Sequence, residues 1–83
     1  MHQATNRFWK DFDALPNHIQ QLSQKNFELL KKDPLHPSLH FKKTGKFWSI
    51  RIGNNYRALA LKDEDSFIWV WIGSHSAYNH MIR

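Results

Sequence analysis

The sequence predicts an α+β domain: an N-terminal two-helix hairpin packed on a small twisted antiparallel sheet, with a short helix at the C-terminal end. Two observations carry this expectation. Apolar residues recur every three or four positions from Phe8 to Leu30, and from Leu39 onward every second position. Breakers stand where one pattern gives way to the next, at Pro16, Asp33-Pro34, Thr44-Gly45, Gly53-Asn54-Asn55 and Asp63-Glu64-Asp65. A chain of 83 residues makes one domain, spanning 1–83, with one core and no room for a second module.

Thr5 or Asn6 can cap a first helix carrying Phe8, Trp9, Phe12 and Leu15, which Pro16 ends or kinks. A second helix follows with Pro16 near its first turn, Ile19, Leu22, Asn26, Leu29 and Leu30 on one stripe and Phe27 beside it. Asp33-Pro34 stops it, because the residue before a proline is pushed out of the helical region. Neither helix is long enough to be stable alone, so both need a surface to pack on. Strands are expected over Leu39 to Lys43, Phe47 to Ile52, Tyr56 to Leu61 and Phe67 to Ile72, as an antiparallel meander. Alternation in the second points Trp48, Ile50 and Ile52 one way and Phe47, Ser49 and Arg51 the other. In the last strand it would put Ile68, Val70 and Ile72 under the helices and leave Phe67, Trp69 and Trp71 for the opposite face, making one face aliphatic and the other aromatic and cationic. Gly73-Ser74 reads as a turn before a last helix of about two turns reaching Arg83.

No cysteine is present, which removes a disulfide framework, a thiolate zinc site and a thiol nucleophile. The N-terminus lacks the apolar core of a signal peptide, and Phe67 to Ile72 is far too short to cross a bilayer. A cytoplasmic chain without membrane contact is expected. Net charge is +5, and its distribution matters more than its size. The stretch Leu35 to Lys62 holds no Asp or Glu, yet carries Lys42, Lys43, Lys46, Arg51, Arg57 and Lys62, interleaved with Phe41, Phe47, Trp48 and Tyr56. Clustered cations set up a local positive field, which points to a polyanionic partner such as nucleic acid.

The residues Leu15-Pro16, Asp33-Pro34, Pro37-Ser38-Leu39-His40-Phe41-Lys42-Lys43, Trp48-Ser49-Ile50-Arg51-Ile52-Gly53, Tyr56-Arg57-Ala58 and Gly73-Ser74-His75 with Tyr78 stand in an order that resembles the RelE/ParE superfamily of bacterial type II toxin–antitoxin toxins. The similarity runs over almost the whole chain. It implies a small cytoplasmic toxin neutralised by a cognate antitoxin, with operator DNA reached only through that antitoxin. The RelE branch cuts mRNA in the ribosomal A site, in contact with 16S rRNA. The ParE branch poisons DNA gyrase and lacks the cleavage residues, and a degenerate member would mainly bind antitoxin. One scaffold carries all of these, so fold alone does not choose.

Cleaving RNA without a metal needs a base for the 2′-hydroxyl, an acid for the leaving 5′-oxygen and cations where charge develops on the phosphate. Arg51 and Arg57 match the family's phosphate-binding arginines, and guanidinium suits that task through paired hydrogen bonds. His75 is the candidate for proton transfer, and Tyr78, three residues on, would sit on the same side of a helical turn. A turn histidine and a core-capping tyrosine would look the same in sequence. Lys42, Lys43 and Lys46 are expected to contact RNA phosphates, or else to form an ordinary solvated sheet edge. No acid occupies the neighbourhood of Pro37 to His40 where some RelE-branch enzymes offer a carboxylate base, so the base is His75, His40 or Lys43. His36 and His40 have ligand-like spacing, but Pro37 interrupts any helix between them and no third ligand is near, so neither metal nor cofactor is expected. Only about four residues precede Thr5, so the N-terminal strand of many family members is here either very short or missing.

Overall fold

The computed structural model describes residues 1–81. In chain order the elements are β1 (His2–Ala4), α1 (Asn6–Asp13), α2 (Asn17–Lys32), a 3₁₀ turn (Pro37–Leu39), β2 (Lys42–Thr44), β3 (Phe47–Ile52), β4 (Tyr56–Asp63), β5 (Ser66–Ser74) and α3 (His75–Met81). The strands form one sheet in the order β1-β5-β4-β3-β2. This is the expected α+β arrangement of a helix hairpin, a sheet and a short last helix, with one change. β1 runs parallel to β5, so the sheet is mixed rather than wholly antiparallel. Ile82 and Arg83, which the expected final helix included, lie outside the described residues.

Thr5 starts α1 by accepting a hydrogen bond from the Phe8 N–H at 3.1 Å, which satisfies one of the helix's free donors. The helix buries Phe8 and Phe12 and leaves Trp9 half exposed, so Trp9 is not part of the packed stripe. The hairpin corner is fixed by Gln20, whose side-chain amide donates to the Phe12 and Leu15 carbonyls at 3.1 and 3.2 Å. Along α2, Ile19 and Leu30 are buried together with Ser23, whose hydroxyl donates to the Ile19 carbonyl at 2.7 Å. Phe27 reaches down edge-on to Trp69, with ring centroids 4.9 Å apart.

The core lies between the hairpin and one face of the sheet: Phe8, Phe12, Ile19, Leu30, Leu39, Ile50, Ile52, Ala58, Ala60, Trp69 and Ile72. Burying each large member stabilises by about 1.5–3 kcal/mol. β3 follows the expected alternation, with Trp48, Ile50 and Ile52 on the helix side. β5 does not. Leu59 pairs with Trp71 but Ala60 pairs with Trp69, so Val70 is an extra residue on β5. Such a bulge resets the two-residue period. Trp69 and Phe67 therefore face the helices, while Val70 joins Trp71 in a second cluster with Leu59, Tyr78 and Phe47 on the other face. The helix face is thus the more aromatic one, contrary to strict alternation.

Two further boundaries differ from expectation. The strand expected over Leu39 to Lys43 is reduced to Lys42–Thr44, because Pro37–Leu39 turns as a 3₁₀ helix capped by the His36 ring and ends at His40 in the left-handed region, φ 46°. Gly73 and Ser74 continue β5 instead of forming a turn, and α3 begins at once at His75. At Ser74 the hydroxyl accepts from the Ala77 N–H at 3.2 Å, which lets the strand pass directly into the helix.

Candidate functional site

On the face of the sheet away from the hairpin, β3 and β4 place Arg51 directly opposite Arg57. One rung along, Ser49 pairs with Lys42 of the edge strand β2. Side chains on paired residues share a face, so these positions project together. Where β5 passes into α3, His75 and Tyr78 are carried over the same ground, and the His75 N–H donates to the Asn55 carbonyl between β3 and β4. The result is a cleft of about 150 Å³ lined by His40, Lys42, Ser49, Arg51, Arg57, His75 and Tyr78. A water molecule occupies about 30 Å³ of liquid, so the cleft admits a few waters or one phosphate group.

Arg51 is anchored by neutral acceptors. Its Nε donates to the Gly53 carbonyl at 3.1 Å and its Nη2 to Asn54 Oδ1 at 2.9 Å. From behind, the side-chain amide of Asn26 on α2 donates to the Arg51 carbonyl at 3.0 Å, tying the arginine's backbone to the hairpin. Arg57 donates from Nη1 to the Tyr56 carbonyl at 2.8 Å and lies 5.9 Å from the centre of the Tyr78 ring. Tyr78 is itself buried against Leu59 and Trp71, so it both caps a small cluster and supports Arg57. His75 is exposed and meets the Tyr78 ring edge-on at 5.9 Å. Among the described residues, the ion pairs are Arg7 with Asp11 and Lys31 with Glu28, and neither site arginine is in one. Burial, and after it the Arg51 charge, pulls Arg57 below its ordinary value, with Tyr78 acting the other way. Two arginines on paired positions line the cleft with no carboxylate among its lining residues, an arrangement suited chemically to an anion.

All four residues expected to be catalytic, Arg51, Arg57, His75 and Tyr78, line this cleft, and Lys42 lines it with them. Lys43 does not: its partner is Trp48, on the helix face of the sheet. Lys46 sits in the β2–β3 turn with its ammonium 5.4 Å from the Phe47 ring centre. Ser49, buried and lining the cleft, was not singled out by sequence; its signal was the alternation that already put it beside Arg51. His40, one of three possible bases by sequence and discounted there as a metal ligand beside His36, also lines the cleft. Among the described residues no group of three His, Asp or Glu side chains gathers as metal ligands would. A roomier and mostly apolar cavity of about 280 Å³ lies between β1, α1 and α2, without convergent cations.

Residues 17–80 match the family described as the ParE-like toxin domain. The chain belongs to that family. It is therefore a toxin of the RelE/ParE superfamily, and solved structures share its fold. The toxin fold in the RelB–RelE antitoxin–toxin complex of Methanococcus jannaschii superposes with a TM-score of 0.75 at 21% identity, covering 98% of this chain and 99% of that one. A copper-bound mutant toxin from Helicobacter pylori is 27% identical, with a TM-score of 0.61 over 92% of this chain and 94% of that one. The isolated RelE toxin of Escherichia coli gives 0.65 at 11% identity, over 99% and 94%. A search of curated proteins gives no match. No helix among the described residues is long and apolar enough to cross a membrane.

Proposed function

We propose that this toxin is a ribosome-dependent mRNA endoribonuclease, working in the cytoplasm and held inactive by a cognate antitoxin. The observation that carries the reading is the convergence of Arg51, Arg57, His75 and Tyr78 in one cleft whose lining includes no carboxylate. In the reaction the 2′-oxygen loses its proton and attacks the adjacent phosphorus, and the bond to the 5′-oxygen breaks as that oxygen gains a proton. The products are a 2′,3′-cyclic phosphate and a free 5′-hydroxyl. Arg51 and Arg57 hold the phosphate and stabilise the charge that builds on its non-bridging oxygens. His75 is the proton-transfer group: it is exposed, and among the described residues no side chain hydrogen-bonds its ring. Tyr78 keeps Arg57 and His75 in place. Lys42 and Lys46 extend the positive surface toward neighbouring phosphates of mRNA or 16S rRNA. The similar chain in the Methanococcus complex is bound to an antitoxin, which supports the same kind of partner here, with operator DNA reached through that partner.

A second reading is favoured by the family match, which is ParE-like: a non-enzymatic inhibitor of DNA gyrase that uses the same cationic face for binding. Primer extension on a defined mRNA, with purified toxin in a cell-free translation reaction with and without ribosomes, separates the two. Cuts that need translating ribosomes support the nuclease; intact RNA together with inhibited supercoiling by gyrase would replace it with the second reading.

A further inference from the structure

We infer that His40 is a positioning residue for Arg51, acting through a neutral imidazole, and not the base that removes the 2′-hydroxyl proton; this deepens the ribonuclease reading above and rests on it. Arg51 Nη1 and His40 Nε2 are 3.2 Å apart. Guanidinium has donors and no acceptor, so Nε2 supplies a lone pair and the ring proton is on Nδ1. That lone pair is engaged, which removes the ring nitrogen a base would need.

The backbone is shaped to make this contact. Lys42 pairs with Ser49, so a straight continuation of β2 would bring His40 to the rung beside Arg51. The chain instead leaves the ladder at His40, with φ 46° and ψ 45°, held by the His40 N–H donating to the Pro37 carbonyl at 3.3 Å. A non-glycine residue in this region is uncommon and asks for a compensating interaction. The Arg51 contact is one.

The choice of acceptors explains what His40 adds. Arg51 faces Arg57 across the ladder and would be driven from it by like charge. A carboxylate could hold Arg51 in place, but it would also neutralise the charge that phosphate binding needs. The Gly53 carbonyl, Asn54 Oδ1 and His40 Nε2 fix three of its donors without that cancellation. The other N–H groups stay available for a phosphate. Facing His40 across the cleft are Lys42 from β2, Arg51 from β3, Arg57 from β4, and His75 and Tyr78 from α3, with His36 at the other end of the 3₁₀ turn. None is a carboxylate.

The test has two arms on the full chain. Nitrogen-15 NMR of the histidine rings near neutral pH is expected to find His40 with Nδ1 protonated and Nε2 bare, a preference that Arg51→Ala abolishes. Ribosome-dependent cleavage is expected to fall about 10–100-fold in His40→Ala, the size common when a supporting hydrogen-bond partner is lost. His40→Gln, which offers an amide oxygen at similar reach and cannot act as a base, is expected to recover most of that loss. Dispersed amide spectra for both variants exclude misfolding as the cause. A bare Nδ1 with Nε2 protonated would overturn the contact. His40→Gln as inactive as His40→Ala would overturn the positioning role in favour of a base. If the wild type cuts no RNA, the ribonuclease reading fails, while the tautomer still decides whether His40 orients Arg51.

Discussion

Along β3, Ile50 and Ile52 are closed off from solvent under the hairpin, whereas Ser49 and Arg51, each one residue away, open into the cationic cleft. β4 divides in the same way, with Ala58 and Ala60 in the main core and Arg57 in the cleft. The helix face is apolar and aromatic at its centre and lies under two helices, with Lys43 and Lys62 at its rim. The opposite face has only α3 for cover and keeps two guanidiniums side by side. The difference teaches that adjacent residues of one strand answer to different demands: one set holds the fold, and its neighbours are held in a repulsive arrangement for an anion. Substitutions on the helix face should move stability, and those on the cleft face should move activity.

The largest expected effect on the first face is at Trp69, which packs on Phe27 and donates from its indole to His2 Nδ1 at 3.0 Å. Trp69→Ala is expected to destabilise the fold by about 3–5 kcal/mol, read as a lower urea midpoint. Its counterpart on the cleft face is Arg57→Ala. Cleavage is expected to drop about 10²–10³-fold, as when one charge-stabilising donor is removed, while the urea midpoint stays level or rises as the repulsion with Arg51 is relieved. A large fall in that midpoint would break the division between the faces.

Gly73 probes the joint between the cleft and its supporting cluster. It pairs with Arg57, and a Cβ there would stand 2.5 Å from the Trp71 ring. Gly73→Ala is expected to lower stability by about 1–3 kcal/mol through overpacking, and to weaken cleavage as well because Tyr78 rests on Trp71.

The smallest expected effect concerns His2, at the hairpin side of the sheet. Burial first, then the chain's amino terminus and Lys31, lower its pKa from the ordinary 6.5. Above that value the ring is neutral in both states. As pH falls below it, the unfolded chain takes up a proton that the folded chain resists, so stability declines until the lower folded value is passed. Urea midpoints at about pH 7.5 and 5.5 should therefore differ more for the wild type than for His2→Gln.

How far the sequence could be read follows the same physics. The helix hairpin and β3 were legible because their periods are local and their caps and breakers stand in line, as at Thr5 and Pro16. The Arg51, Arg57, His75 and Tyr78 grouping was legible through motif resemblance, and alternation on β3 already put Ser49 beside Arg51. β1 was legible only as one of two alternatives, a very short strand or none, since three residues of no strong strand preference form a strand only because β5 offers them partners some 65 positions away in the chain. The bulge at Val70 was hidden too: a two-residue period read by eye has no mark for one inserted residue, and the error carried Trp69 to the wrong face. The place of Lys43 outside the cleft was hidden for a related reason: its sign suited RNA, but which face it joins is fixed by its pairing with Trp48, and that register needed the observed strand ladder.

The division between the faces is tested most directly on two neighbouring residues, by measuring both the urea midpoint and ribosome-dependent cleavage in Ile50→Ala and Arg51→Ala. Ile50→Ala is expected to lose about 2–5 kcal/mol of stability and, at temperatures where it stays folded, to keep cutting mRNA. Arg51→Ala is expected to keep its stability to within about 1 kcal/mol and to lose cleavage by at least about 10²-fold. The reverse pattern, or two variants that lose both properties together, would contradict the account.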